Sequence, residues 1–423
     1  MRAVVVGGGL AGLSAALWLQ RWGYDVTLLE ARPTLGGGVQ TLPERDGDPS
    51  PPPDNGQHIA LGCCYAYYRF LHEIGEATSL RRMRLALPVI GEDGSVGIIG
   101  RGPTRLLRYR HLAIGDRFAV AQVTRRLGKL NPADHDDETF GDLLRRLGQS
   151  QAAIDRFWDV FMRPALNLRS EEVSAATAIF TVQTALLAER SASDLLLPSA
   201  PLGRMHGEAA GRVLAERGAT VRTEARVLAL EDAAAVLADG ERVEADVFVV
   251  AVPPAESARL LGEPAPPLED SPIVSVHLLF DRPLLRFPLA ALLGSDAHWV
   301  FDRGRLTGHL PERGQYLTVV SSGAYELLER RGRALVEQIA GEVTGRLGRA
   351  ELLWSRVSRE PAATFAARPG TAALRPGAET SRPNVARAGA WTATGWPATM
   401  ESAVISGNEA AGVFPPVSVE VAA

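Results

Sequence analysis

Residues 1–30 read MRAVVVGGGLAGLSAALWLQRWGYDVTLLE, and this stretch decides the fold. Arg2 to Val6 is a short apolar run that suits a buried strand, and Leu10 to Arg21 is apolar at helical spacing. Gly23 stops that helix, and Asp25 to Glu30 is strand-like again. Between the first strand and the helix, Gly7, Gly9 and Gly12 fit G-x-G-x-x-G. The first glycine allows the tight turn. The second lets backbone approach a pyrophosphate held at the positive helix start, Leu10 and Ala11, and the third permits close helix–strand packing. Glu30 ends the second strand, where a carboxylate accepts hydrogen bonds from ribose hydroxyls. Strand, glycine turn, helix, strand and acid together predict a dinucleotide-binding α/β unit; the alternative is a glycine-rich turn with no ligand.

Just beyond Glu30 and Ala31 comes a second glycine group, Gly36, Gly37 and Gly38. Two glycine segments around one pyrophosphate fit FAD, whereas a nicotinamide dehydrogenase has no need of the second. Residues 43–56 read as a loop, with Pro49, Pro51 to Pro53 and then Asp54-Asn55-Gly56. From Ile59 to about Leu195 the pattern is mainly helical, with a hairpin expected at Glu92-Asp93-Gly94. A second βα-like signal starts near Leu202, with strands expected at 220–223, 226–230 and 246–252. Three more strand-like runs occupy 273–280, 298–301 and 316–321. A long helix is expected over 324–347, a last strand over 385–390, and a last helix over 401–413.

The length, 423 residues, suits two interleaved domains. The expected segments are 1–75, 201–268 and 381–423 for the cofactor unit, and 76–200 and 269–380 for the other. With 46% apolar and 22% charged residues the chain is globular, and a net charge of −4 argues against nucleic acid as a partner. Cys63 and Cys64 are neighbours, so they neither staple distant segments nor frame a metal site, and a reducing cytoplasm is expected. Lys129 is the only lysine. No run of apolar residues is long enough to span a bilayer.

Two further stretches carry candidate chemistry. Asp54-Asn55-Gly56-Gln57-His58 precedes a helix containing Tyr65, and both a capping role for the loop and an ordinary hydrogen-bonded role for His58 stay open. Gly389-Ala390 closes the last strand, and Thr399-Met400-Glu401 opens a helix whose free N–H groups suit an electron-rich flavin edge.

The glycine motif with Glu30, the Asp54–His58 run, Pro164-Ala165-Leu166-Asn167 and Gly395-Trp396-Pro397-Ala398-Thr399-Met400-Glu401 occur together. This set resembles the hydroxysqualene dehydroxylases, also described as squalene-associated FAD-dependent desaturases of hopanoid synthesis. Phytoene desaturases and flavin amine oxidases belong to the same superfamily. The resemblance implies a glutathione-reductase-like FAD-binding domain interleaved with an α+β substrate domain. It also places Val227 on the strand returning to the adenine side, and Gly56 beside the cofactor. It implies reductive removal of an allylic hydroxyl from a polyprenoid, with hydride from reduced FAD, a separate electron donor, and an acid to protonate the leaving oxygen. His58, Asp54 and Tyr65 are the candidates for that acid. A substrate with essentially no aqueous solubility implies docking on the inner face of the cell membrane. Two segments are expected to serve, Arg105–Leu127 and Phe157–Met162. A carotenoid-type desaturase and a non-catalytic flavin-binding partner remain alternatives. An amine oxidase of the superfamily places a lysine beside the flavin, and only Lys129 is on offer. Two departures stand out: Gly38 replaces an arginine beside the pyrophosphate, and Ala390 replaces an acid. Each costs about 1–3 kcal/mol of cofactor affinity where nothing compensates.

Overall fold

The computed structural model describes residues 1–417. Strands β1 (Arg2–Val6) and β2 (Asp25–Leu29) flank helix α1 (Leu10–Arg21) and pair in parallel. Their sheet runs in the order 385–387, 247–250, β1, β2, 220–222, so its strands come from the start, middle and end of the chain. Val4, Val5, Val249 and Val250 are all buried, because a parallel sheet is covered on both faces; that is why these strands read as unbroken apolar runs. Helix α1 buries Leu13, Leu17 and Leu19, each contributing about 1.5–3 kcal/mol. The last helix, Met400–Gly412, lies directly on α1. At Gly407 a Cβ would stand 2.2 Å from the Ala11 carbonyl oxygen, so the two helices meet at a distance only glycine admits.

A second sheet has seven strands in the order 352–365, 270–280, 315–322, 299–302, 289–292, 86–90, 96–100. On one face Val274, Val276, Leu278, Phe280, Leu317 and Val319 pack with Leu335, Ile339 and Val343 of the helix Gly332–Leu347. On the other, the register sets Ser275 opposite Ser358 and His277 opposite Arg356. This polar face receives the loop 48–56.

Three expectations change. The hairpin at 92–94 exists, but its strands Ala86–Ile90 and Val96–Gly100 form one edge of the seven-stranded sheet. The region 59–195 also holds a small sheet of 60–61, 195–198 and 80–83. The helix over 324–347 is two, Tyr325–Glu329 and Gly332–Leu347, separated where Gly332 takes φ +61°. A strand of 14 residues, Leu352–Phe365, adds to the expected set.

Candidate functional site

The first glycine loop sits at the end of β1. At Gly12 a Cβ would lie 1.9 Å from the Gly7 carbonyl oxygen, so this glycine serves packing. Gly9 differs: the nearest atom to its Cβ position is Gly37 Cα at 3.8 Å. The protein itself makes no demand for glycine there, and the space is what a pyrophosphate needs. Gly9 caps α1 without a side-chain acceptor, so the N–H groups of Leu10, Ala11 and Gly12 are the free donors of a helix start. The second loop docks on the first through the Gly36 N–H, which donates to the Gly8 carbonyl (2.8 Å). Gly37 follows it against Gly9, and Gly38 is exposed with no atom within 4 Å of its Cβ position.

Glu30 is 8% exposed. It accepts the Gly8 N–H at 2.6 Å and the Arg32 N–H at 2.8 Å, which leaves lone pairs for ribose hydroxyls beside the exposed Ala31. The Ala225 N–H donates to the Glu30 carbonyl (2.8 Å), bringing the returning chain alongside just before the strand Val227–Leu230. These residues fit the ADP half of FAD.

At the far end, Thr399 caps the helix Met400–Gly412, its Oγ1 accepting the Ser402 N–H at 3.2 Å. Glu401, expected at the helix start that faces the flavin, is buried. Its carboxylate turns away to accept the N–H groups of Ala66 (2.9 Å) and Tyr67 (2.7 Å) at the start of α2 (Tyr65–Glu73), and burial raises its pKa. Only its backbone N–H remains for a cofactor. The Gly389 N–H donates to Ser406 Oγ (2.9 Å). The Ala390 carbonyl accepts from Ser402 Oγ (3.2 Å) and from Arg375 Nη2 (3.3 Å). Arg375 also donates to the carbonyls of Trp391 (3.3 Å), Trp396 (2.8 Å) and Thr392. Burial draws its pKa down to about 10. No motif marked this arginine, yet it shapes the whole loop 390–396.

The 54–58 loop divides the three acid candidates. Asp54 is 3% exposed, with Oδ1 accepting from Thr41 Oγ1 (2.7 Å) and the Leu202 N–H (2.9 Å) and Oδ2 from Arg303 Nη1 (2.6 Å). A carboxylate serving three donors organises the loop, which fits the orienting role open to Asp54 beside that of proton donor. Tyr65 is 55% exposed, and its hydroxyl donates to Glu189 Oε1 (2.5 Å), a bond that raises its pKa. His58 is half-buried, and burial lowers its pKa against the opposing pull of the Asp54 charge. Its charge in turn helps depress buried His206, whose pKa falls to about 4, mainly through burial. His206 Nδ1 faces the Leu202 carbonyl (2.8 Å), and Tyr67 donates its hydroxyl to Nε2 (2.7 Å). Gly56 lies against the polar sheet face, its Cβ position 3.0 Å from Ser275 Oγ.

Asn167, closing the Pro164–Asn167 run, is a structural hub. It takes the left-handed position that ends the helix Asp159–Leu166. Its Nδ2 donates to the Ser271 carbonyl (2.9 Å) and its Oδ1 accepts the Gly323 N–H (2.6 Å). The run Phe157–Met162 is corrected as a membrane-facing segment: Trp158 and Met162 are core, and Trp158 packs edge-on to Phe140 and donates to Gln149 Oε1 (2.7 Å).

Comparison with known proteins agrees with this frame. The family model of flavin containing amine oxidoreductases matches residues 10–413. Hydroxysqualene dehydroxylase of Rhodopseudomonas palustris is 31% identical, with 96% of each chain covered. Its namesake from Sinorhizobium fredii is 29% identical over the same shares. A zeta-carotene desaturase of Synechocystis is 24% identical over 97% of this chain and 96% of its own. Among solved structures, cyclohexylamine oxidase from Brevibacterium oxydans superposes with a TM-score of 0.71 at 17% identity, covering 97% of this chain and 98% of that one, which shows the shared fold. With its two glycine loops, its acid at the end of β2 and its last helix packed on α1, the chain belongs to the flavin-containing amine oxidoreductase family, on the hydroxysqualene dehydroxylase branch.

Proposed function

We propose that this chain reduces the allylic hydroxyl of hydroxysqualene, releasing squalene and water. The observation that carries the reading is the 31% identity to a hydroxysqualene dehydroxylase along 96% of both chains. Reduced FAD, when bound, supplies the hydride. Gly7, Gly9, Gly12 and Glu30 hold its ADP half, the returning chain at Val227 flanks the adenine, and the helix start at Thr399–Met400 faces the ring. Hydroxide leaves poorly, so the oxygen must be protonated as its bond breaks. His58 takes that role, since Asp54 and Tyr65 are committed elsewhere. Because burial lowers the His58 pKa from 6.5, its charged form is populated below that value, and the rate of this step rises as pH falls into that range. Amine oxidation is disfavoured: Lys129 is exposed just past the helix Ile114–Leu127.

Among the described residues no helix is long and apolar enough to cross a membrane. Support for surface docking comes from the helices Pro103–Leu107 and Ile114–Leu127, where Leu107, Ile114 and Phe118 are exposed near Arg105, Arg108 and Arg110. Apolar side chains beside arginines suit an anionic bilayer from which the lipid is drawn.

The 24% identity to a zeta-carotene desaturase keeps a second reading, carotenoid desaturation, in play. A single anaerobic turnover separates them. Reduced enzyme mixed with hydroxysqualene should re-oxidise its flavin and form squalene in equal amounts. Re-oxidation without squalene sinks the dehydroxylase reading. Squalene at an unchanged rate in His58→Ala removes His58 as the acid and leaves the reaction standing.

A further inference from the structure

Arg303 opens the short helix Arg303–Thr307 beside the seven-stranded sheet and is 1% exposed. Its guanidinium lies over the Tyr316 ring at 5.9 Å. It reaches across to the loop before His58, donating from Nη1 to Asp54 Oδ2 (2.6 Å) and from Nη2 to the Pro52 carbonyl (2.8 Å). The other oxygen of Asp54 accepts the Thr41 hydroxyl at 2.7 Å, and Thr41 Oγ1 accepts the Gly203 N–H at 3.0 Å. The next residue continues the grip: the Asn55 N–H donates to the Gln40 carbonyl (3.0 Å) and Asn55 Nδ2 to the Gly38 carbonyl (2.8 Å). Residues 54 and 55 thus hold the run 38–41, which directly follows the glycines packed on Gly9. A buried Asp54 without a matched cation would be unstable, so the guanidinium makes the grip possible.

From this geometry we propose that Arg303 is a positioning residue for the flavin, fixing the second glycine loop against the first through Asp54 and Thr41. The proposal rests on the family assignment for the identity of the cofactor, and on these contacts for the rest. It also answers the departure at Gly38. Where the resemblance implies an arginine touching the pyrophosphate, this chain has open space, and it gains affinity from a loop already set in place.

The test measures FAD binding to apoprotein by quenching of flavin fluorescence, together with hydrogen exchange of residues 36–41 without cofactor. Arg303→Met combined with Asp54→Asn removes the pair without stranding a charge. Its dissociation constant for FAD is expected to rise about tenfold, the scale of one lost charge-assisted hydrogen bond. Arg303→Lys should recover part of that loss. Thr41→Val keeps the buried pair and the backbone bonds between 40–42 and 53–55 but removes the side-chain link from Asp54 to the loop, so it tests that link even where the double variant fails to fold. It should weaken FAD binding and speed exchange at 36–41 while the apoprotein melting temperature holds. Unchanged FAD affinity and unchanged exchange in Thr41→Val overturn the proposal. Tight FAD binding in the parent chain with no turnover of hydroxysqualene overturns the functional reading instead, and leaves this one intact.

Discussion

The two faces of the seven-stranded sheet are made by the same strands and held by different forces. One face is Val274, Val276, Leu278 and Phe280 against an apolar helix, held by area removed from water. The other carries Ser275, His277, Arg356 and Ser358 under the loop 48–56, held by the buried pairs Arg303–Asp54 and Arg356–Asp48. On that side Ser275 Oγ and Asn55 Oδ1 have no hydrogen-bond partner among the described residues. The apolar face tolerates approximate shape, whereas the polar face is held by directional ion pairs that fix one register of the loop leading to His58.

The sharpest way to break this contrast is Arg356→Met, which leaves the Asp48 carboxylate buried and unpaired. Unfolding in urea should show a loss of about 3–5 kcal/mol, and adding Asp48→Asn should restore most of it. Next in size, Leu278→Ala on the apolar face should cost about 2–5 kcal/mol by the same measurement, yet leave the FAD dissociation constant of the folded protein unchanged. A loss of flavin affinity there would mean that the two faces are not separable.

Acid sharpens the comparison further. His277 on the polar face has its pKa lowered to about 3, chiefly by burial, then by Arg303 and Arg356, while the Asp54 carbonyl pulls the other way. Its folded pKa lies below the unfolded value of 6.5, so its contribution is complete above pH 6.5 and is lost as pH falls toward 3. The slope is at most about 1.4 kcal/mol per pH unit. Urea midpoints measured between pH 7 and 5 should fall, and His277→Asn should flatten the fall. The smallest change in stability, within about 0.5 kcal/mol, is expected for Phe118→Ser on the outer helix, which should nevertheless reduce sedimentation with anionic liposomes.

The cofactor half was legible in the sequence because a nucleotide cleft demands glycine at fixed spacing and an acid at a strand end. Gly7, Gly9, Gly12 and Glu30 all meet at one loop as expected. The polar face was not legible. Arg303 and Arg356 are single arginines whose partners lie 249 and 308 residues away, and no periodicity records such a pair. The strand Leu352–Phe365 lacks apolar alternation because its residues serve that same face and a sheet edge. Asp54 looked like an acid because its spacing from His58 was visible, whereas the arginine and threonine that occupy it were not.

The five-stranded sheet has its outer strand at 385–387, and Gly407 of the last helix rests on Ala11 of the first. In chain order the loop Gly7 to Gly12 and its helix come well before the strand 385–387 and the helix Met400–Gly412 that cover them. A growing chain therefore carries the apolar face of α1 uncovered until residues 385–412 have been made. The cofactor unit is complete only once its first and last segments have met.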